Sequence, residues 1–281
     1  MRRLNRSFKG DLPIILLLFV LGSIMIIPMV FAFSNAVRPL DEMWIFPPRF
    51  ITRNPTMRNF SELFMLMNQS IVPFSRYIFN TFFLAIVGTI GHVIIASMAA
   101  YALAKHEFKG KNVIFSIIVL SLMFTAAVTG IPNFMIITTL GWMDTWWAVI
   151  VPGLAGSMGL YLMKQFMDAM VPDSILEAAR IDGSSEWRIF WTIVMPIVKP
   201  AWLTLVMFAF TARWNQDVTM FIHTEQNRTL PFAINQIMGG GIARVGVGAA
   251  AAVLMMMMPI IVFIVTQSNI MQTMATSGMK E

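Results

Sequence analysis

The residues suited to chemistry are few. There is no cysteine, which excludes disulfides, thiolate metal sites and thiol nucleophiles. The three histidines, His92, His106 and His223, lie far apart, and no H-E-x-x-H places two of them on one helical turn. No G-x-x-x-x-G-K-[ST] occurs, and Gly110-Lys111 is followed by Asn112 without the loop glycine. The chain therefore has no site of its own for a nucleotide phosphate. The one nucleophile pattern is "AGSMG" at 155–159, which misses G-x-S-x-G by its first residue. With His92 as base on another segment, Ser157 would suit an intramembrane serine protease. The plainer reading takes Gly153, Gly156, Ser157 and Gly159 as small residues that let helices approach.

The polar stretch "EAARIDGSSEWRIFWTIVMP" at 177–196 raises a different possibility. Pro172 ends the segment before it, and Ser174 followed by Glu177 fits a capping box. A short helix is predicted to run to about Asp182, where Gly183 supplies a left-handed stop. Ser184 or Ser185 then caps a second helix carrying Trp187, Ile189, Phe190 and Trp191, and Pro196 and Pro200 interrupt the chain beyond it. Ala178 and Ala179 are small enough for another backbone to approach. Charges at Glu177, Arg180, Asp182, Glu186 and Arg188 keep the element in water or against a polar partner. The stretch is either a solvated loop or a docking element.

What positions this stretch is a membrane. The 281 residues are 57% hydrophobic and 12% charged, with a net charge of +6, and the mean hydropathy is +0.72. That composition points to an all-α integral membrane protein rather than a soluble core. No dense Lys/Arg patch interleaves with aromatics, so nucleic acid is not an expected partner. Six spans of about 20 residues are predicted, at 12–33, 77–104, 112–138, 145–164, 200–217 and 247–267. The first is too long for a signal-peptide apolar region and reads as a retained anchor. Arg2, Arg3, Arg6 and Lys9 precede it, and the short loop "KHEFKGK" holds three lysines in seven residues. Positive charge in short loops predicts both termini, and the polar stretch, on the cytosolic side. The chain divides into three regions: 1–76 with the anchor span and an outer loop, 77–267 as the core, and 268–281 as a cytosolic tail. In the proline-rich outer loop 34–76, Thr56 or Asn59 is expected to cap a short amphipathic helix whose Phe60, Leu63, Phe64 and Met67 share a face.

The order Glu177-Ala178-Ala179, Gly183, Ile193 and Pro196 resembles the EAA loop of permeases of binding-protein-dependent bacterial ABC importers. The string "VPDSILEAARIDGSSEWRIFWTIVMPIVKPA" is similar to the carbohydrate branch, the maltose-type second permease, with Met195 where a leucine is common. "RPLDEMWIFPPRF…PTMRNFSELF", "RYIFNT", "AAYALAKHEFKGK" and "RWNQD…RTLPFAI" extend the resemblance over nearly the whole chain. It implies a type I importer permease fold with six transmembrane helices and a cytosolic coupling helix, in the bacterial inner membrane. It also implies that Glu177, Ala178, Ala179, Asp182, Gly183 and Pro196 couple the chain to a cytosolic ATPase dimer. The other implied partners are a homologous second permease and an extracytoplasmic solute-binding protein. Membrane lipid surrounds the chain, and ATP and magnesium sit on the ATPase, with no cofactor on this chain. The implied cargo is a sugar or oligosaccharide. A non-sugar solute of the same family is the alternative, and a passive channel would have no need of a capped docking element.

Polar groups inside spans are costly and mark cavities or helix contacts. They are Asn80, Thr81, His92, Thr125, Thr129, Asn133, Arg213, Asn215 and Asp217. His92 fits a satisfied core imidazole, and Asn133 after Pro132 fits a partner for freed backbone groups. Arg213 is expected to pair with Asp217 four residues on, to snorkel outward, or to face an acidic sugar. Candidate substrate-path residues are Asn80, Asn133, Arg213, Trp214 and Asn215. Trp142, Trp146, Trp147 and Trp214 suit an interfacial belt, with sugar stacking as the alternative. Asn227, Arg228 and the first outer loop are candidate surfaces for the binding protein.

Overall fold

The computed structural model describes residues 8–47, 49–68, 72–241 and 244–277; the predicted basic start at Arg2, Arg3 and Arg6 lies outside them. In chain order the helices are α1 (Phe8–Ala36), α2 (Leu40–Met43), α3 (Arg58–Asn68), α4 (Phe74–Lys105), α5 (Lys111–Ser121), α6 (Ala126–Thr139), α7 (Trp147–Leu154) and α8 (Ser157–Met170). Then come α9 (Asp173–Ile181), α10 (Glu186–Ile189), a π-turn (Phe190–Val194), α11 (Met195–Ile197), α12 (Lys199–Trp214), a 3-10 turn (Glu225–Asn227), α13 (Leu230–Met238) and α14 (Val245–Ser277). The described residues fall into two compact units. One is drawn from Met1–Gln69 with Ile234–Met256, the other from Ser70–Ala233 with Met257–Glu281.

Among the described residues four stretches are long and apolar enough to cross a membrane: Leu12–Ala36, Phe74–Lys105, Trp147–Met170 and Val245–Gln267. A fifth forms if the pair Glu186–Ile197 and Lys199–Trp214, bent by 81°, counts as one. The predicted third span is not one helix. It is divided between α5 and α6, with Thr125 in extended conformation before α6. At the break the Ser121 hydroxyl lies 2.6 Å from the Ile118 carbonyl and 2.6 Å from Ser157 Oγ. Such local bonds compete with the helical ladder.

In the first unit a buried carboxylate ties down the loop between α1 and α3. Glu42 accepts hydrogen bonds from Thr52 Oγ1 (2.8 Å), Arg53 N (3.0 Å), Asn54 N (3.1 Å) and Asn54 Nδ2 (3.1 Å). These bonds, led by that from Arg53, hold its carboxyl below the usual range. Thr56 accepts from Arg58 N at 3.2 Å at the start of α3, as its capping role predicts. Asn59 instead sits within α3 and donates to the Ala36 and Arg38 carbonyls (2.9 and 2.8 Å). The buried face is Asn59, Leu63 and Met67, an i, i+4, i+8 row, which leaves Phe64 exposed rather than inside.

The second unit is organised around α4, which packs against α7, α8 and α12. Its buried row runs through Leu84, Ala85, Gly88, Thr89, His92, Val93, Ala96, Ala100 and Tyr101, the spacing of an inward helix face. Over its N-terminal end the segment 218–230 is strapped by polar bonds. Asn80 Nδ2 donates to the Gln226 and Arg228 carbonyls, both at 2.8 Å, and the Thr81 hydroxyl accepts from Leu230 N at 2.7 Å. Tyr77 donates to Glu225 at 2.9 Å. Asp144, at φ +60°, accepts from His223 N (2.9 Å) and Thr224 N (2.8 Å). The Thr224 hydroxyl contributes most to holding its carboxyl below the usual range.

Asn80 is wholly buried, so truncating it strands two carbonyls. Asn80→Ala is expected to cost about 1–3 kcal/mol, read as a lower thermal midpoint of the purified assembly.

Candidate functional site

The polar element begins two residues earlier than its capping box implies. Its first helix starts at Asp173 after Pro172, without a side-chain cap, so Ser174 lies inside α9. Asp173 turns instead to Lys105. That cation is nearly buried, with 5% of its side chain exposed. It donates to the Val171 carbonyl (2.7 Å) and to Asp173 (2.8 Å). The helix ends as its sequence predicts. Gly183 has φ +76°, and Gly183 N and Ser184 N return to the Arg180 and Ala179 carbonyls, each at 3.0 Å. Ser185 Oγ accepts from Arg188 N at 3.4 Å.

One side of α9 is docked and the other is bare. Leu176 and Ala179 are buried in a cluster with Val93, Met163, Ile189, Phe190 and Val198. Glu177, Ala178, Asp182, Gly183 and Pro196 are exposed. A second grip forms at Glu186, which receives Arg180 Nε (2.6 Å) and the Tyr101 hydroxyl (2.7 Å), with His106 Nε2 at 3.4 Å. Thus Tyr101, Lys105 and His106, all at the C-terminal end of α4, hold the element at Val171, Asp173 and Glu186. Sequence reasoning missed this grip. The available signal was Tyr101 and Lys105 four apart, on one face at a helix end.

A second polar cluster surrounds the break between α7 and α8. Interruption at Ala155-Gly156 frees backbone carbonyls that apolar surroundings do not solvate. His92 Nδ1 lies 2.9 Å from the Leu154 carbonyl, and since a carbonyl only accepts, Nδ1 carries the proton. Arg213 Nη2 donates to the Gly153 carbonyl, and Nη1 to Ala209 at 3.2 Å. Glycines make the room. A Cβ on Gly159 would overlap His92 Nε2, and one on Gly88 would lie 2.5 Å from Arg213 Nε.

The path residues are not gathered into one cleft. Asn80 is a buried tether, and Trp214 is 2% exposed, edge-on to Phe82 at 5.0 Å and stacked with Phe210 at 5.8 Å. Trp214 is therefore a core residue rather than part of a belt. Asn133 is half-buried on α6, and Asn215 is exposed with its amide on Thr211 (3.1 Å). The expected Arg213–Asp217 pair does not form. The helix ends at Trp214 and Asn215 leaves helical geometry, so the two are no longer one turn apart. Asp217 bonds Thr219 instead, at 2.9 Å to its N and 2.6 Å to its hydroxyl. No hydrogen bond joins Ser157 to His92 among the described residues: the serine faces Ser121 and the imidazole faces Leu154.

Comparison with known proteins fits this layout. The family described as binding-protein-dependent transport system inner membrane component matches residues 92–275. The sn-glycerol-3-phosphate transport system permease protein UgpE of Yersinia enterocolitica is 31% identical over 203 residues, covering 71% of each chain. Protein LplC of Bacillus subtilis is 28% identical over 234 residues, covering 81% of this chain and 75% of its own. The polygalacturonan/rhamnogalacturonan transport system permease protein YtcP of Bacillus subtilis is 28% identical over 192 residues, covering 62% of this chain and 66% of its own. A bacterial ABC transporter involved in the import of the acidic polysaccharide alginate has a chain of like fold. Its TM-score is 0.76 at 22% identity, over 94% of this chain and 98% of that one.

The Lys105–Asp173 bond sets a pH dependence. The lysine's hydrogen bond, then its charge, lowers the Asp173 pKa. The stability this adds is complete above the ordinary aspartate value of about 4 and is lost as pH falls through the lowered folded value. Asp173→Asn should lower the thermal midpoint at neutral pH and flatten its decline below about pH 4, measured by thermal denaturation of the assembly.

Proposed function

The chain belongs to the inner membrane components of binding-protein-dependent transport systems, and on that premise we propose that it is one of two permease subunits of an ATP-driven importer for an acidic saccharide. It is a transport subunit and not an enzyme. The observation that carries the coupling role is α9, whose Leu176 and Ala179 are docked while Glu177, Ala178 and Asp182 face outward. In this reading the outward side enters a cleft of the cytosolic ATPase, which holds the ATP and magnesium. Movement of the ATPases pushes α9, and the grips at Asp173 and Glu186 pass the displacement to α4 as a rigid body. The 81° elbow at Val198 lets α12 follow at a different angle. A homologous second permease completes the pathway, and a solute-binding protein delivers cargo from the other side. Six spans with both termini in the cytosol are the arrangement this requires. In this reading the two shorter apolar helices, α5 and α6, together make the third span.

The acidic cargo is inferred from Arg213 together with the relatives. Glycerol phosphate, galacturonan and alginate, the cargoes those proteins are named for, all carry negative charge. Two of the five guanidinium N–H groups of Arg213 are used on carbonyls. Its charge has no carboxylate partner among the described residues. A charge that arginine cannot shed is available to an anionic sugar passing that level.

Coupling and cargo are tested separately. With all subunits co-expressed, cysteine at Ala178 should cross-link to the ATPase in a nucleotide-dependent way, while cysteine at Met65 should not. Absence of any link from 178 in an intact assembly would return α9 to a solvated loop. Arg213→Gln also removes the donor to Gly153 and should lower uptake of any cargo, but it should reduce uptake of an alginate oligosaccharide about 10- to 100-fold more than that of a neutral oligosaccharide. An equal loss on both would make Arg213 structural only.

A further inference from the structure

A cavity of about 540 Å³ opens beside the elbow between the polar element and α12. Its walls include Val93 and Ile94 of α4, Trp191 of the π-turn, and Lys199, Trp202 and Val206 of α12. We propose that this groove holds one acyl chain of an anionic phospholipid, with Lys199 at its mouth binding the phosphate. The proposal rests on the cytosolic placement of the polar element in the proposed function.

The lining excludes a sugar. Apart from Lys199, the side-chain polar groups in it are the indole N–H groups of Trp191 and Trp202. Trp202 Nε1 is already committed to the Met195 carbonyl at 3.0 Å. A saccharide would leave most of its hydroxyls without partners, whereas hydrocarbon fits such walls. The charge selects the headgroup. Lys199 is exposed and has no carboxylate within ion-pair distance among the described residues. Lysine beside two tryptophans is the composition of a membrane interface, and a cytosolic-leaflet lysine is drawn to anionic lipid.

Position gives the site a consequence. Trp191 and Met195 belong to one arm of the elbow, and Lys199, Trp202 and Val206 to the other. A chain seated between them limits how far the 81° angle can close. Lipid occupancy therefore sets the rest position of the joint beyond α9.

The test uses the intact transport assembly in nanodiscs of equal phosphatidylglycerol and phosphatidylcholine, each in turn carrying a diazirine acyl chain. Irradiation should label peptides containing 90–94 and 191–206, severalfold more from phosphatidylglycerol. Lys199→Gln should abolish the preference while retaining label, and Val206→Trp should remove the label from these peptides. Equal labelling by both lipids, or unchanged labelling in Val206→Trp, would overturn the proposal. So would a cross-link from cysteine at Ile94 to a second protein chain, which would make the groove a protein interface. Sidedness is read separately, by an impermeant maleimide on cysteine at Ser185. Labelling from the outer side refutes the cytosolic placement whether or not lipid is retained.

Discussion

A backbone carbonyl in apolar surroundings must find a donor, and this requirement shapes the centre of the protein. The break at Ala155-Gly156 frees carbonyls at Gly153 and Leu154. Arg213 from α12 and His92 from α4 supply the donors. Three helices are thereby fixed to one irregular point. The small residues around it arise from the same need, since a Cβ on Gly88, Gly156 or Gly159 would strike one of those two side chains. Packing, polar satisfaction and the positions of the glycines are one constraint seen from three directions.

The polar element is attached by a different logic. Its inner side is apolar, with Leu176 and Ala179 in the core. Its ends are clamped by charged bonds to the last turns of α4, through Lys105 and Tyr101. An element held by packing alone would slide, and one held by exposed ion pairs alone would be loose. Together they hold a short helix firmly against α4 while its other side stays exposed.

Much of this was legible in the sequence because it depends on local rules. Gly183 stops α9 because a left-handed residue is needed there, and Ser185 caps α10 because a small hydroxyl side chain suits that position. The family signature at 177–196 gave the functional class. What escaped depends on residues far apart in the chain. Lys105 captured Asp173 across 68 residues, so the helix started without the expected cap. Arg213 found Gly153, 60 residues away, in preference to Asp217. Asn80 and Trp214 read as pathway residues because polar and aromatic groups near span ends suit a sugar. The tethers to 226–228 and the aromatic contacts of Phe82 and Phe210 are invisible to periodicity. The divided third span was missed because hydropathy does not register a break among apolar residues.

The π-turn at Phe190–Val194 has a mechanical meaning of its own. Met195 N bonds the Phe190 carbonyl, one residue wider than an α-turn, and Pro196 has no N–H to restore the regular ladder over Thr192. The turn therefore stores one surplus residue. Against a regular helix, that residue turns everything before it by about 100° and shifts it about 1.5 Å along the axis. The surplus residue thus sets the angle at which the polar element meets α12, and Pro196 keeps it from merging into a regular ladder.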